Sequence, residues 1–178
     1  GLWTDDTIMT LLLLESLLKK GGFDANHQLT LYQRWFDEGY MSPTGNCDDI
    51  GKTCLKSINR FEKTGGLKSD IATELDNGSL MRIAAVVLAQ PKLNLENLQE
   101  LASQCSYVTH GSKLAADCCR YYSTLIYKAL YGASKSELFD YQLDQSYSQS
   151  LREIINTKKY QTTVPERGIG GHVLEGLI

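Results

Sequence analysis

An all-helical fold is predicted by three features of the sequence. Apolar residues recur at helical spacing almost throughout, segments of strict alternation rich in β-branched residues are scarce, and only 3 prolines punctuate the 178 residues. Thr4-Asp5-Asp6 offers an N-cap hydroxyl and two first-turn carboxylates. Residues 8–18 are then apolar on nearly every face, until Lys19-Lys20-Gly21-Gly22 supplies the stop. This first helix is expected to be central and buried. A second is expected over 26–38, with Leu29, Tyr32 and Phe36 on one stripe, followed by a loop over 39–45. The third puts Ile50, Cys54, Ile58 and Phe61 on a common face and ends at Gly65-Gly66.

Ser79 can cap a strongly apolar helix running to about Ala89, and Leu95, Leu98, Ala102 and Cys105 stripe the next. The longest helix is expected over 112–130, with Leu114, Cys118, Tyr121, Leu125 and Ala129 in register and Gly132 closing it. Ser134-Lys135-Ser136-Glu137 reads as a capping box that starts another helix. Residues 142–171 carry the weakest pattern, although Leu151, Ile154 and Ile155 can make one short helix. No internal repeat or domain boundary stands out, so a single domain over 1–178, incomplete at both termini, is the expectation.

Composition narrows the function classes. Hydrophobic residues make up 42% and charged residues 22%, the proportions of a soluble globular chain. The net charge is −3, with 18 Lys+Arg against 21 Asp+Glu and no basic run longer than two, so no nucleic-acid groove is expected. No apolar run is long enough to span a bilayer, and no signal peptide is visible. Five cysteines, Cys47, Cys54, Cys105, Cys118 and Cys119, are an odd number without the two-residue spacing of zinc or redox pairs. Free thiols in a reducing compartment, the cytoplasm, are expected.

Three segments can carry chemistry. Thr4-Asp5-Asp6-Thr7 presents hard oxygen ligands suited to Mg²⁺, Mn²⁺ or Ca²⁺, although Thr-Asp-Asp before an apolar run is also an ordinary helix cap. Carboxylates at the rim of a core need cations or other partners, which favours the metal reading. In Asn77-Gly78-Ser79-Leu80-Met81-Arg82, Gly78 permits close backbone approach. A helix starting at Ser79 would aim free N–H groups at an anion such as a diphosphate, but the same residues also make a common turn. Thr109-His110-Gly111 is a polar break between helices that holds His110, whereas His27 and His172 read as surface or packing residues.

Taken in order, Gly1-Leu2-Trp3-Thr4-Asp5-Asp6-Thr7, the block from Gly39-Tyr40-Met41-Ser42-Pro43-Thr44-Gly45 through Asn46-Cys47-Asp48-Asp49-Ile50-Gly51, Asn77-Gly78-Ser79-Leu80-Met81-Arg82-Ile83-Ala84, Thr109-His110-Gly111 and Ala116-Asp117-Cys118-Cys119-Arg120-Tyr121 resemble the ADP-ribosylglycohydrolase family, related to dinitrogenase reductase-activating glycohydrolase. The likeness runs from Gly1 to about Leu138 and reappears around 170–178. It implies an orthogonal all-helical bundle, truncated at both ends, that holds two divalent cations, Mg²⁺ or Mn²⁺, at the base of an ADP-ribose cleft. Thr4, Asp5 and Asp6 match the amino-terminal half of the metal set, and Asp49 the catalytic aspartate that approaches the substrate ribose. Asn77, Gly78 and Ser79 match the loop against the ligand, and His110 a position on the diphosphate side.

The resemblance further implies hydrolysis of the glycosidic bond between ADP-ribose and a modified protein or other conjugate. A non-catalytic ADP-ribose-binding member and a helical metallo-phosphohydrolase are the alternatives. Two of the family's blocks are absent here: an Asp-Asp-Ala-Asp-Thr-like block near the carboxyl terminus and an earlier Gly-Asp-Ala-Leu-Gly-like helix. The 178 residues alone are therefore expected to be inactive. Three positions depart from the pattern: Asp48 where an aromatic is common, Asp76 where a glycine usually precedes Asn-Gly, and Ala85 where proline is frequent. A carboxylate at 76 disfavours a nearby diphosphate unless a cation or Arg82 intervenes.

Overall fold

The computed structural model describes residues 1–158 and 171–177. Eight α-helices follow one another among them: α1 (Asp5–Lys20), α2 (Ala25–Glu38), α3 (Lys52–Thr64), α4 (Ala84–Ala89), α5 (Leu95–Tyr107), α6 (Lys113–Leu130), α7 (Lys135–Phe139) and α8 (Gln149–Asn156). A 3-10 turn (Glu175–Leu177) comes last among the described residues. The all-helical expectation holds, since the only extended pairing among the described residues is an isolated bridge between Asp76 and His172. Part of the weakly patterned stretch, 159–170, and Ile178 lie outside the described residues.

Local chemistry sets most helix ends. The backbone enters a left-handed turn at Gly21, Gly39 and Gly65, which stops α1, α2 and α3. Asp24, Asn94 and Ser112 accept hydrogen bonds from first-turn amides of α2, α5 and α6, and Ser134 completes the capping box that opens α7.

The apolar faces form two clusters that share α1. Leu13 and Leu17 join one with α4, α5, α6 and α8, while Ile8, Met9 and Leu12 join the other with α2, α3 and Val108. Helices α5 and α6 form the most extensive pair, and α1 packs on both α2 and α4. A fully buried Ile, Met or Leu side chain contributes on the order of 1.5–3 kcal/mol. The amino-terminal turn of α1 is therefore fixed over the second cluster by three such residues.

Several expectations need correction. Helix α1 is two-sided rather than buried all round, because Leu11 and Leu18 are exposed. Phe36 is also exposed, and Trp35 takes its place beside Leu29 and Tyr32 in the core. Ile50 precedes α3 instead of lying within it. Ser79 does not cap a helix. Residues 78–83 run as turns and α4 begins at Ala84, because the Ser79 side chain is turned inward, accepting from Ser106 Oγ at 2.9 Å and Cys119 Sγ at 3.5 Å.

Gly39 does more than end α2. A Cβ there would lie 2.0 Å from the Gly45 carbonyl oxygen, so only glycine lets the helix end touch the loop that leads to Asp49. Gly45 is also left-handed but has open space around it. We expect Gly39→Ala to destabilise the fold by at least about 2 kcal/mol, from left-handed strain plus the backbone clash. Gly45→Ala should cost about 1 kcal/mol. Urea denaturation of both variants measures the difference, and equal losses would show that the approach of the two backbones is unimportant.

Candidate active site

The amino-terminal turn of α1 meets the 41–51 loop at one end of the second cluster. Trp3 Nε1 donates to the Met41 carbonyl at 3.2 Å and ties the segment before α1 to that loop. A cleft of about 160 Å³ opens between them, lined by Trp3, Thr4, Pro43, Thr44, Asp48 and Asp49. Thr4 and Asp49, 45 positions apart in sequence, thus share one cleft. Asp49 sits in the left-handed region at φ 60°, a conformation that aspartate tolerates better than most residues. Asp48 accepts from Thr44 Oγ1 at 2.5 Å, which turns its carboxylate back onto its own loop.

Thr4 is the N-cap of α1 by backbone conformation, but its hydroxyl does not cap the helix; it donates instead to Asp6 Oδ2 at 3.2 Å. The Asp6 amide donates to Asp5 Oδ1 at 3.0 Å. Burial raises the Asp5 carboxyl, and the charges of Asp6 and Asp49 push it further, to about 6 from an ordinary 3.8. Among the described residues no Lys, Arg or His forms an ion pair with Asp5, Asp6 or Asp49. The donors are hard oxygens crowded together without a balancing cation, and in kind they suit a divalent metal. In number they fall short, because no group of three His, Cys, Asp or Glu able to hold a metal occurs among the described residues.

A second group lies across Cys54. Burial raises the Cys54 thiol to about 11; Arg82 opposes this, while Asp76 and Asp5 both add to it. Asp76 belongs to the loop before α4. Its Oδ1 accepts from His110 Nε2 at 2.6 Å and from the Gly78 amide at 3.4 Å, and its Oδ2 accepts from Thr53 Oγ1. Burial would raise this carboxyl, but the His110 hydrogen bond, the charge of that ring when protonated, and the Thr53 and Gly78 donors outweigh it and hold the pKa at about 2. The Asp76 side chain remains 40% exposed, so part of the carboxylate faces outward.

The residues expected to face a ligand divide unevenly. Asn77 is half-buried, with its amide on the Gly171 carbonyl at 2.8 Å, so residues 171–173 run beside the loop. Gly78 is buried, and the close approach it permits is that of the protein itself: a Cβ there would sit 3.2 Å from both Cys54 Sγ and His110 Cε1. Ser79 points into the core. His110 is fully enclosed, with Thr109 Oγ1 2.7 Å from Nδ1 and Asp76 on Nε2. Arg82 does not stand between Asp76 and the exterior either. It is completely buried and is joined to Asp76 through the side chains of Thr109 and His110 and through the Gly78 backbone, not by a direct contact. Sequence reasoning missed Thr53 and Thr109 as members of this network; the hydroxyl beside His110 in Thr109-His110-Gly111 was the one available signal.

His27 packs as expected, with Nδ1 2.9 Å from Ser16 Oγ. All five cysteines are free. No helix among the described residues is long and apolar enough to cross a membrane.

Comparison with known proteins bears on the family and the fold. Residues 1–177 match the model of the ADP-ribosylglycohydrolase family. The chain is 31% identical over 139 residues to the ADP-ribosylarginine hydrolase Tri1 of Pseudomonas putida (strain GB-1), covering 77% of this chain and 37% of that protein. It is 29% identical over 156 residues to the ADP-ribosylhydrolase ARH3 of Mus musculus, covering 79% and 38%. A solved ADP-ribosylglycohydrolase-related protein complex superposes with a TM-score of 0.81 at 30% identity, over 99% of this chain and 57% of that one. The chain thus spans well under half the length of these two curated relatives. With a family model matched over nearly its whole length and the same helical fold, the chain belongs to the ADP-ribosylglycohydrolase family.

Proposed function

We propose that this chain forms part of a metal-dependent hydrolase that releases ADP-ribose from a modified protein or other conjugate by cleaving the glycosidic bond. The observation that carries the reading is the crowding of Asp5, Asp6 and Asp49 beside Thr4 with no cationic side chain among them. Thr4, Asp5 and Asp6 would hold part of the shell of a divalent cation, Mg²⁺ or Mn²⁺, in a site for two such ions. A bound cation would supply Lewis-acid stabilisation of charge and orientation of ribose hydroxyls. Asp49, exposed on its left-handed turn, is placed to accept a proton from a water or a ribose hydroxyl. Asn77, Gly78 and Ser79, with His110 behind them, would supply the backbone wall against the bound ADP-ribose. Five free thiols support a reducing compartment, and we assign the protein to the cytoplasm.

The test is release of ADP-ribose from arginine- and serine-linked substrates by the full-length protein, with and without Mg²⁺ or Mn²⁺. We expect release that stops when the metal is chelated. Tight ADP-ribose binding without release would identify a non-catalytic binding protein, and liberation of inorganic phosphate a phosphohydrolase.

A further inference from the structure

Four side chains form one continuous hydrogen-bonded line from the interior to the surface. Arg82 Nη2 lies 2.6 Å from Thr109 Oγ1, Thr109 Oγ1 lies 2.7 Å from His110 Nδ1, and His110 Nε2 lies 2.6 Å from Asp76 Oδ1. Arg82, Thr109 and His110 are entirely buried, while the Asp76 side chain is 40% exposed. The direction of each bond follows from the donor inventory. A guanidinium only donates, so Thr109 Oγ1 accepts from Arg82. The threonine has one hydroxyl hydrogen, and its remaining partner in the line is His110 Nδ1. If Nδ1 carried a proton, that hydroxyl hydrogen would be left buried without an acceptor in the line, at a cost of about 1–3 kcal/mol. Thr109 therefore donates to Nδ1, and His110 presents Nε2–H to Asp76.

We propose that Arg82 and Thr109 are positioning residues that fix His110 as a donor to Asp76, and that Asp76 is a specificity-determining acceptor for hydroxyl groups of the bound ligand. The proposal rests on the reading of the chain as an ADP-ribose hydrolase. Thr53 and His110 clamp the carboxylate from two sides and the Gly78 amide adds a third contact, so its orientation is set before a ligand arrives. An ionised, oriented carboxylate accepts from neutral diols and repels phosphate oxygens. It selects the orientation in which the terminal ribose, rather than the diphosphate, lies against residue 76.

Two measurements on the full-length protein test this. Imidazole nitrogen chemical shifts by NMR report the His110 tautomer without any ligand. The wild type should show the Nε2–H form, Thr109→Val should lose it, and Thr109→Ser should restore it. Calorimetry with ADP-ribose and with ADP, which lacks the terminal ribose, then gives a ratio of affinities. Asp76→Asn should lower the preference for ADP-ribose by about tenfold or more, chiefly by tightening ADP. Thr109→Val should move the ratio in the same direction, and Thr109→Ser should return it. A merely structural role would weaken both ligands together and leave the ratio where it was. An Nδ1–H tautomer in the wild type, or an unchanged ratio in Asp76→Asn, overturns the inference. Failure of the wild type to bind ADP-ribose at all overturns the hydrolase reading itself, and the hydroxyl-accepting role of Asp76 with it.

Discussion

Replacing Asp5 and Asp6 together with Asn should remove metal-dependent ADP-ribose release, a fall of roughly a thousandfold or to background. Metal coordination is worth several kcal/mol of transition-state stabilisation, and each tenfold in rate is about 1.4 kcal/mol. The stability of the same variants should move in two directions. Added Mg²⁺ at about a hundred times its dissociation constant stabilises a binding-competent protein by about 2.7 kcal/mol, on the order of 5–10 °C in a chain of this size. The double variant should lose that response. Without metal, however, Asp5→Asn should melt higher than the wild type at pH 7. The Asp5 carboxyl, raised first by burial and then by Asp6 and Asp49, ionises near 6 when folded and near 3.8 when unfolded. Between those values the folded protein keeps a proton that the unfolded chain has lost. The contribution of this group is thus fully present below pH 3.8 and is lost as pH rises through 6. Metal-free wild type should therefore gain stability relative to Asp5→Asn as the pH falls from 7 to 4, and a pH-independent difference between the two would refute the assignment. Wild-type activity should fall over the same acid window, because a proton on Asp5 competes with the cation. Full Mg²⁺-dependent turnover in the double variant would mean that the metal ligands lie elsewhere.

How much of this was readable beforehand depends on the range of the interactions. Helix stops at Gly21, Gly39 and Gly65 and the capping box at Ser134 are written within a few residues, and the sequence pattern locates them. Asn-Gly-Ser resembles a cap, so the pattern predicts a helix from Ser79 to about Ala89, whereas the chain runs as turns over 78–83 and the helix starts at Ala84. What defeats the cap is the burial of Ser79 against Ser106 and Cys119, partners 27 and 40 positions away. The apolar richness of 8–18 overstated the burial of α1, since periodicity says which residues can be buried and the number of neighbouring helices says which are. Thr4, Asp5 and Asp6 stand out locally, but their proximity to Asp49 emerged only through the likeness to a family before the fold was known. In the sequence, Arg82 is the nearby cation that could screen the charge of Asp76. The fold instead joins them through Thr109 and His110, a path that no local pattern encodes because its links bridge 27 and 34 positions.

Arg82 should be the side chain outside the cleft whose loss costs most. Its guanidinium is fully buried, and among the described residues it makes no ion pair with a carboxylate. It donates from Nη1 to the Gly78 carbonyl at 2.8 Å and from Nη2 to the Cys105 carbonyl at 3.2 Å and to Thr109, and it lies 5.2 Å from the centre of the Tyr32 ring. Tyr32 belongs to one apolar cluster and Cys105 to the other, so this residue fastens the two together beneath the 76–79 loop. Arg82→Leu keeps much of the volume but strands the buried Gly78 carbonyl and removes charge-assisted hydrogen bonds from the Cys105 carbonyl, which keeps Gln28 Nε2, and from the Thr109 hydroxyl, which keeps His110, each loss costing about 1–3 kcal/mol. Relief of the buried charge returns part of that. We expect a net loss of about 3–5 kcal/mol, seen as a fall of about 10 °C in the thermal midpoint and a matching shift in the urea midpoint. Arg82→Lys should recover less than half, because one ammonium cannot reproduce a planar fork that reaches Gly78, Cys105 and Thr109 at once. Both variants should also release the tautomer of His110, since Thr109 then loses the donor that orients its hydroxyl. A loss below about 1 kcal/mol in Arg82→Leu would mean that the loop and the two clusters hold together without the guanidinium.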